Sequence, residues 1–187
     1  MERVSEAHEV VVLVALPADR ARGTSDMTTE PHVESRTEQP YASIRTTAPL
    51  SEWGRVNALV PEVLEWLTAR GNTPVGAPFY RYHAVDPAGL IDVEVGWPVQ
   101  DPVEGDGRVA AGARPAGDYA VLVHLGHPDR IRETFAALDG WSARTGTGFA
   151  IRDGVWAGRF ETYLTHPDEV SDLGEWRTEV AYLLSTE

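Results

Sequence analysis

The chain repeats itself. Leu64-Glu-Trp-Leu-Thr-Ala-Arg-Gly71 lies over Leu138-Asp-Gly-Trp-Ser-Ala-Arg-Thr-Gly146 with one residue inserted, and Phe79-Tyr-Arg-Tyr82 lies over Phe160-Glu-Thr-Tyr163. Asp92-Val-Glu-Val95 lies over Arg177-Thr-Glu-Val180. The offset grows from about 75 to about 85 residues, as loop insertions make it grow. Each half reads strand, helix, strand, strand. In the first, Tyr41–Arg45 is a strand and Ser51 caps a helix. The apolar positions of that helix, Trp53, Val56, Leu59/Val60, Val63/Leu64 and Leu67, recur at helical spacing up to a stop at Gly71. Pro61 is expected to kink or divide it. Phe79–His83 and Ile91–Trp97 form a hairpin around Asp86-Pro-Ala-Gly89, and Pro102–Gly107 is a linker.

The second half follows the same order. Tyr119–Val123 is a strand, and Pro128 opens a helix with Ile131, Phe135, Leu138 and Trp141 on its apolar face. Val155–Leu164 reads as one buried strand with Trp156, Phe160 and Leu164 toward a core, and Thr178–Leu184 closes the fold after a polar connection from His166 to Glu175. One such half cannot close a core alone. The predicted fold class is therefore α+β. A tandem β-α-β-β repeat forms one curved antiparallel sheet, with helices on one face and a ligand groove at the pseudo-two-fold. The domain is placed at residues 31–187, with halves at about 31–103 and 108–187. Residues 1–30 read as a poorly ordered extension, with Met27 as an alternative start.

Alternation along the strands places Phe79, Val93, Val95, Trp97, Phe160, Val180 and Tyr182 toward the helices. The other parity sends Tyr80, Tyr82, Glu94, Glu161, Tyr163 and Glu179 toward the concave side. Glu161 is the informative residue, because a carboxylate among aromatics in mid-strand is unfavourable unless its desolvation is compensated. Two compensations are open: a structural partner (Arg159, Arg177 or Arg81), or a ligand that carries positive charge. Arg177 is equally a candidate partner for Glu179. A groove with aromatic walls and three carboxylates suits a flat cation, and Trp53, near a helix start, is placed to close one end. Trp66 and Trp141 read as core.

Composition narrows the chemistry. With 29 acidic and 16 basic residues the net charge is −13, which disfavours nucleic acid and favours cationic or neutral partners. Every basic residue is Arg, so a lysine Schiff base is excluded, and with no Cys there is no thiolate nucleophile or Cys-ligated metal. Val10–Leu16 is too short to span a bilayer, and its acidic flank is wrong for a secretory signal, so a cytoplasmic protein without membrane contact is expected. His124-Leu-Gly-His127 lacks companions for a metal site, and His32, His83 and His166 are scattered. Thr145-Gly-Thr-Gly148 lacks the strand-to-helix context of a phosphate loop, and no serine sits in a nucleophile elbow. No metal or cofactor is expected. The expected partner is a lipophilic aromatic or cationic small molecule, and no protein partner is indicated.

The order of elements, with Gly-Trp-Pro-Val99, Phe-Glu-Thr-Tyr163 and Trp-Arg-Thr-Glu-Val180, resembles the GyrI-like small-molecule-binding domain over roughly Pro31 to Ser185. That is the fold of the effector domains of AraC-type and BmrR-type regulators and of SOUL haem-binding proteins. The resemblance implies that glutamates on the penultimate and last strands, Glu161 and Glu179 here, contact lipophilic cations. Regulators of the family carry a DNA-binding domain ahead of the module. Only some thirty residues stand there in this sequence, so a stand-alone binder is expected. Some stand-alone relatives hydrolyse cyclopropanoid DNA-alkylating natural products with a pocket glutamate and aromatic residues. That makes Glu161 a general base and Tyr163 its phenolic partner in the alternative, enzymatic reading.

Overall fold

The computed structural model describes residues 30–165 and 170–186. The expectations placed on residues 1–29, Met27 included, and on His166 lie outside them. The elements in chain order are β1 (His32–Arg36), β2 (Gln39–Ala48), α1 (Trp53–Asn57), α2 (Leu59–Ala69), β3 (Phe79–Val85) and β4 (Ile91–Pro98). They continue with β5 (Ala110–Arg114), β6 (Gly117–Leu125), α3 (Ile131–Thr145), β7 (Ile151–Arg152), β8 (Val155–Trp156), β9 (Arg159–Tyr163) and β10 (Arg177–Leu183). Eight strands form one antiparallel sheet in the order β1-β6-β10-β9-β3-β4-β2-β5, and β7 and β8 form a separate hairpin.

That order is a palindrome of the two halves. Strands β6, β10 and β9 mirror β2, β4 and β3 about the β9–β3 seam, with β1 and β5 added at the outer edges. Neither edge strand was expected; both are short and polar or alanine-rich, with too little apolar alternation to read as strands. The helical stretch divides at Ala58, and Pro61 is the cause. In the first turn of α2 its missing N–H is tolerated, whereas its ring would clash with the carbonyl of Asn57, where α1 ends.

The sheet is curled. Arg114 on edge strand β5 stacks 4.7 Å from the ring centroid of Phe160 on β9, four strands away, a span of about 19 Å if the sheet were flat. The curl is toward the helix-free face, whose interior is filled by Tyr41, Phe79, Tyr119, Val121, Phe160 and Leu183. On the other face α1 and α2 cover Ile44, Val93, Val95 and Trp97, while α3 covers Leu122, Val180 and Tyr182. Phe79 and Phe160 thus lie on the opposite face from the one expected. Their cross-strand partners are Gly96 and Ala181, whereas the helix-facing valines Val95 and Val180 oppose Tyr80 and Glu161.

The expected Val155–Leu164 strand is two pieces. Ala157 N–H donates to Ala150 O, ending the hairpin, and Leu183 N–H donates to Gly158 O at 2.7 Å, starting the main-sheet pairing. Only glycine fits there, since a Cβ on Gly158 would lie 2.8 Å from the Leu183 Cβ. Leu164, beyond the end of β9, is 43% exposed and not part of the core.

Candidate functional site

Cross-strand register places the site on the symmetry axis. In the seam Tyr80 pairs directly with Glu161, and these are the residues that the internal duplication makes equivalent. Two positions on, the equivalent pair is Tyr82 and Tyr163, one from each side of the axis. Tyr82 Oη donates to Glu161 Oε2 at 2.8 Å, and Tyr163 Oη donates to Glu161 Oε1 at 2.5 Å. The duplication therefore supplies two phenols for one carboxylate. On this face the symmetry of the pair breaks at the centre, where one half has Glu161 and the other Tyr80.

The surroundings are aromatic. Trp53, the first residue of α1, stacks on both Tyr80 and Tyr82, with centroids 6.2 Å apart in each case and interplanar angles of 23° and 9°. Tyr163 meets Tyr80 edge-on at 5.3 Å. The Tyr80 hydroxyl points away from the carboxylate and donates to Asn57 Oδ1 at 2.9 Å, tying the strand to the end of α1. Glu161 is 3% exposed. Burial pushes its carboxyl above the ordinary glutamate value; the Tyr163 and Tyr82 hydrogen bonds and the more distant Arg159 charge only partly oppose the rise. Burial and the adjoining carboxylate push the phenols of Tyr82 and Tyr163 far up, so both stay neutral donors. The arrangement is a desolvated carboxylate held by neutral hydrogen bonds. Such a group gains strongly from an incoming cation, or from a proton to be abstracted.

The model of a family described as the GyrI-like small molecule binding domain matches residues 29–182. The chain belongs to this family. Among solved structures, the GyrI-like fold here is similar to the C-terminal domain of EcmrR, at 20% identity over 84% of this chain and 98% of that one, with a TM-score of 0.71. In the EcmrR–DNA complex the TM-score is 0.72 at 20% identity, and the match covers 84% of this chain. This chain spans 58% of that EcmrR chain's length. A hydrolase from Listeria innocua is similar at 13% identity over 86% of this chain and 94% of its own, TM-score 0.58. SAV2435 bound to tetraphenylphosphonium is similar at 9% identity over 84% and 94%, TM-score 0.58. No curated protein matches the chain.

Of the residues expected in the GyrI-like groove, Glu161, Tyr80, Tyr82, Tyr163 and Trp53 come together on the helix-bearing face. Glu94 and Glu179 do not. Tyr80 opposes Val95 and Glu161 opposes Val180, so the residue before each valine points to the other side of the sheet. There Glu94 accepts from Tyr41 Oη at 3.0 Å and Ser43 Oγ at 3.2 Å, lies 2.9 Å from His83 Nε2, and has the Arg81 guanidinium at 3.6 Å. His83 reaches that face by plain alternation from Arg81, and the register shift between Tyr82 and Ala84 lies just beyond it. Glu179 is held by both terminal nitrogens of Arg36, at 2.9 and 3.0 Å, in place of the candidate partner Arg177. The cluster thus holds one of the three expected carboxylates, and it lies on the face opposite the concave interior.

Sequence reasoning offered Arg159 as a structural partner of Glu161 and missed the rings around it. Arg159, two positions before Glu161, makes no ion pair with the carboxylate among the described residues and lies over the rings of Tyr82, Phe135, Trp156 and Tyr182. Phe135 and Tyr182 had read as plain core, and nothing local separates a wall from a core aromatic. Two surface clefts, one of about 460 Å³ around Trp66, Arg70 and Asp106 and one of about 290 Å³ around Arg55, Glu62 and Arg108, do not reach Glu161. Among the described residues no group of three potential metal ligands forms, and no helix is long and apolar enough to cross a membrane.

Proposed function

We propose that this GyrI-like protein binds bulky, lipophilic aromatic compounds, cationic ones among them, at the β9–β3 seam, with Glu161 as the charge-bearing contact and Trp53, Tyr80, Tyr82 and Tyr163 as aromatic walls. One observation carries the reading: Glu161 is buried yet held by two neutral phenols, with no guanidinium ion-paired to it among the described residues. A purely structural carboxylate in this molecule looks different, as Glu94 and Glu179 do with their arginines. A cation over an aromatic face contributes roughly 0.5–2 kcal/mol. Charge complementarity to a poorly solvated carboxylate brings the total to a micromolar affinity, about −8 kcal/mol. Trp53 is the built-in reporter. Titration with tetraphenylphosphonium is expected to quench tryptophan fluorescence saturably, and binding by Glu161→Gln as tight as by the native protein rules the mechanism out.

The raised carboxyl of Glu161 favours one second reading. With the Tyr163 hydroxyl turned from Glu161 to a substrate carbonyl, Glu161 would act as general base and take a proton from a water that forms a C–O bond to the cyclopropane, while the ring C–C bond breaks and its electron pair passes into the conjugated carbonyl that Tyr163 holds. Incubation with such a compound, followed by mass measurement, tests it. Addition of one water that disappears in Glu161→Gln supports hydrolysis, and no addition above background removes it.

A further inference from the structure

Arg159 occupies an aromatic cage of its own. Its guanidinium carbon lies 4.9 Å from the ring centroids of Phe135 and Trp156, 5.1 Å from Tyr182 and 5.5 Å from Tyr82. The four rings come from α3, β8, β10 and β3, so the fold assembles the cage from both halves of the chain. The Arg159 Nε is buried without a hydrogen-bond partner. The guanidinium is close enough to the Tyr182 phenol for its charge to oppose the rise that burial causes there, and the Tyr182 hydroxyl, like the Arg159 Nε, is buried without a hydrogen-bond partner. Arg159 is therefore held by ring faces, the interaction by which proteins recognise lipophilic cations.

The cage and the carboxylate share a wall. Tyr82 offers one ring to Trp53 and to Arg159, and its hydroxyl to Glu161. A cationic guest drawn to Glu161 thus arrives beside a cage already filled by the protein's own cation, whose charge also reaches Glu161. We infer that Arg159 is the charge selector of this site: an internal ligand that a cationic guest must displace or tolerate, and that an anionic or neutral aromatic guest of the same shape need not. The inference rests on the seam being the binding site. It explains why an aromatic cage in a strongly acidic chain contains an arginine: the site is held ready for aromatic guests without being saturated by any passing cation.

Tetraphenylphosphonium and tetraphenylborate test it, since they present the same four phenyl groups around opposite charges. Affinities of both are measured on the full chain for the native protein, Arg159→Met and Glu161→Gln. Arg159→Met is expected to tighten phosphonium binding about tenfold and weaken borate binding, while Glu161→Gln moves the ratio the other way. Arg159→Lys, which keeps the charge, is expected to stay near the native ratio, and Arg159→Gln repeats the methionine result if the thioether packs badly. A ratio in Arg159→Met and Arg159→Gln that is unchanged, or shifted toward borate, overturns the selector role while leaving the site intact. Failure of all these proteins to bind either ion overturns the site itself, and the selector with it.

Discussion

Glu161 and Glu94 are both largely withdrawn from water in the central strands of one sheet, yet they are treated in opposite ways. On the helix-free face, burial alone would raise the Glu94 carboxyl. The His83 hydrogen bond, the Arg81 charge and the Tyr41 hydrogen bond overcome that and hold it below the ordinary value. On the helix-bearing face the same desolvation meets only two phenols and a more distant arginine, and the Glu161 carboxyl ends up raised. Within one sheet, one buried carboxylate is given cations and the other is left short of them. The pair of faces also shows what the duplication contributed. Glu94 and Glu179 are equivalent in the repeat and each acquired an arginine, whereas Glu161 faces its own equivalent, Tyr80, across the axis.

The largest expected effect falls on Glu94. Its truncation to Ala leaves His83 and Arg81, with side chains 9% and 16% exposed, facing a void without their anion. The expected destabilisation is about 2–3 kcal/mol, discounted from the value for fully buried pairs. Urea unfolding measures it, and tetraphenylphosphonium affinity is expected to stay within about twofold. Glu161→Gln is expected to invert the pattern. Phosphonium affinity falls about 30- to 100-fold, the scale of a charge-assisted contact, while stability at pH 7 changes by no more than about 1 kcal/mol, because a desolvated charge is removed with its hydrogen bonds. If Glu161→Gln destabilises as strongly as Glu94→Ala, the two carboxylates play the same structural part.

Much of this was legible from residues alone, for a particular reason. The overlay of Phe79-Tyr-Arg-Tyr82 on Phe160-Glu-Thr-Tyr163 contains the seam itself, since equivalent residues meet across a two-fold axis. Tyr80, Tyr82, Glu161 and Tyr163 were therefore brought together by the same observation that gave the architecture. Facing was harder. Alternation within β3 and β9 is ambiguous because both parities carry large aromatics, Phe79 and Phe160 against Tyr80, Tyr82 and Tyr163, so which parity meets the helices is decided by pairing with β4 and β10. That pairing is long-range, and Glu94 and Glu179 were misplaced with it. The cage around Arg159 was invisible for the same reason: its rings are scattered from position 82 to position 182 and converge only after folding.

Acid titration sharpens the contrast by sign. The Glu161 carboxyl is raised in the folded state, so the stability it contributes is fully present below the ordinary value of 4.5 and is lost as pH rises through the folded value. The Glu94 carboxyl is lowered, so its contribution is present above 4.5 and is lost as pH falls through its folded value. Unfolding free energies measured against pH are thus expected to change in opposite directions. The difference between native protein and Glu161→Gln shrinks as pH rises above 4.5, while that between native protein and Glu94→Gln shrinks only below it. A Glu161 difference that is flat between pH 4.5 and 8 would mean that its carboxyl is ordinary, and the contrast between the faces would lose its electrostatic basis.

The smallest effects expected come from the two phenols, and they probe the comparison within the site. Tyr163→Phe removes the shorter of the two hydrogen bonds to Glu161 and Tyr82→Phe the longer, 2.5 against 2.8 Å. Each bond steadies the ionised form, so each loss should raise the Glu161 carboxyl further, Tyr163→Phe by more. The readout is the pH at which phosphonium affinity is half lost on acidification. It is expected to move upward in both variants, with a loss of about 1 kcal/mol in affinity at neutral pH for Tyr163→Phe and less for Tyr82→Phe. Tyr82→Phe has a second consequence that Tyr163→Phe lacks, because the Tyr82 ring also faces Arg159 and Trp53; since the ring is retained, those contacts survive and only the hydroxyl is tested. A midpoint that moves downward in either variant would mean that the phenols hold a protonated Glu161 in place instead of an ionised one, and the carboxylate would then reach a cation only after giving up its proton.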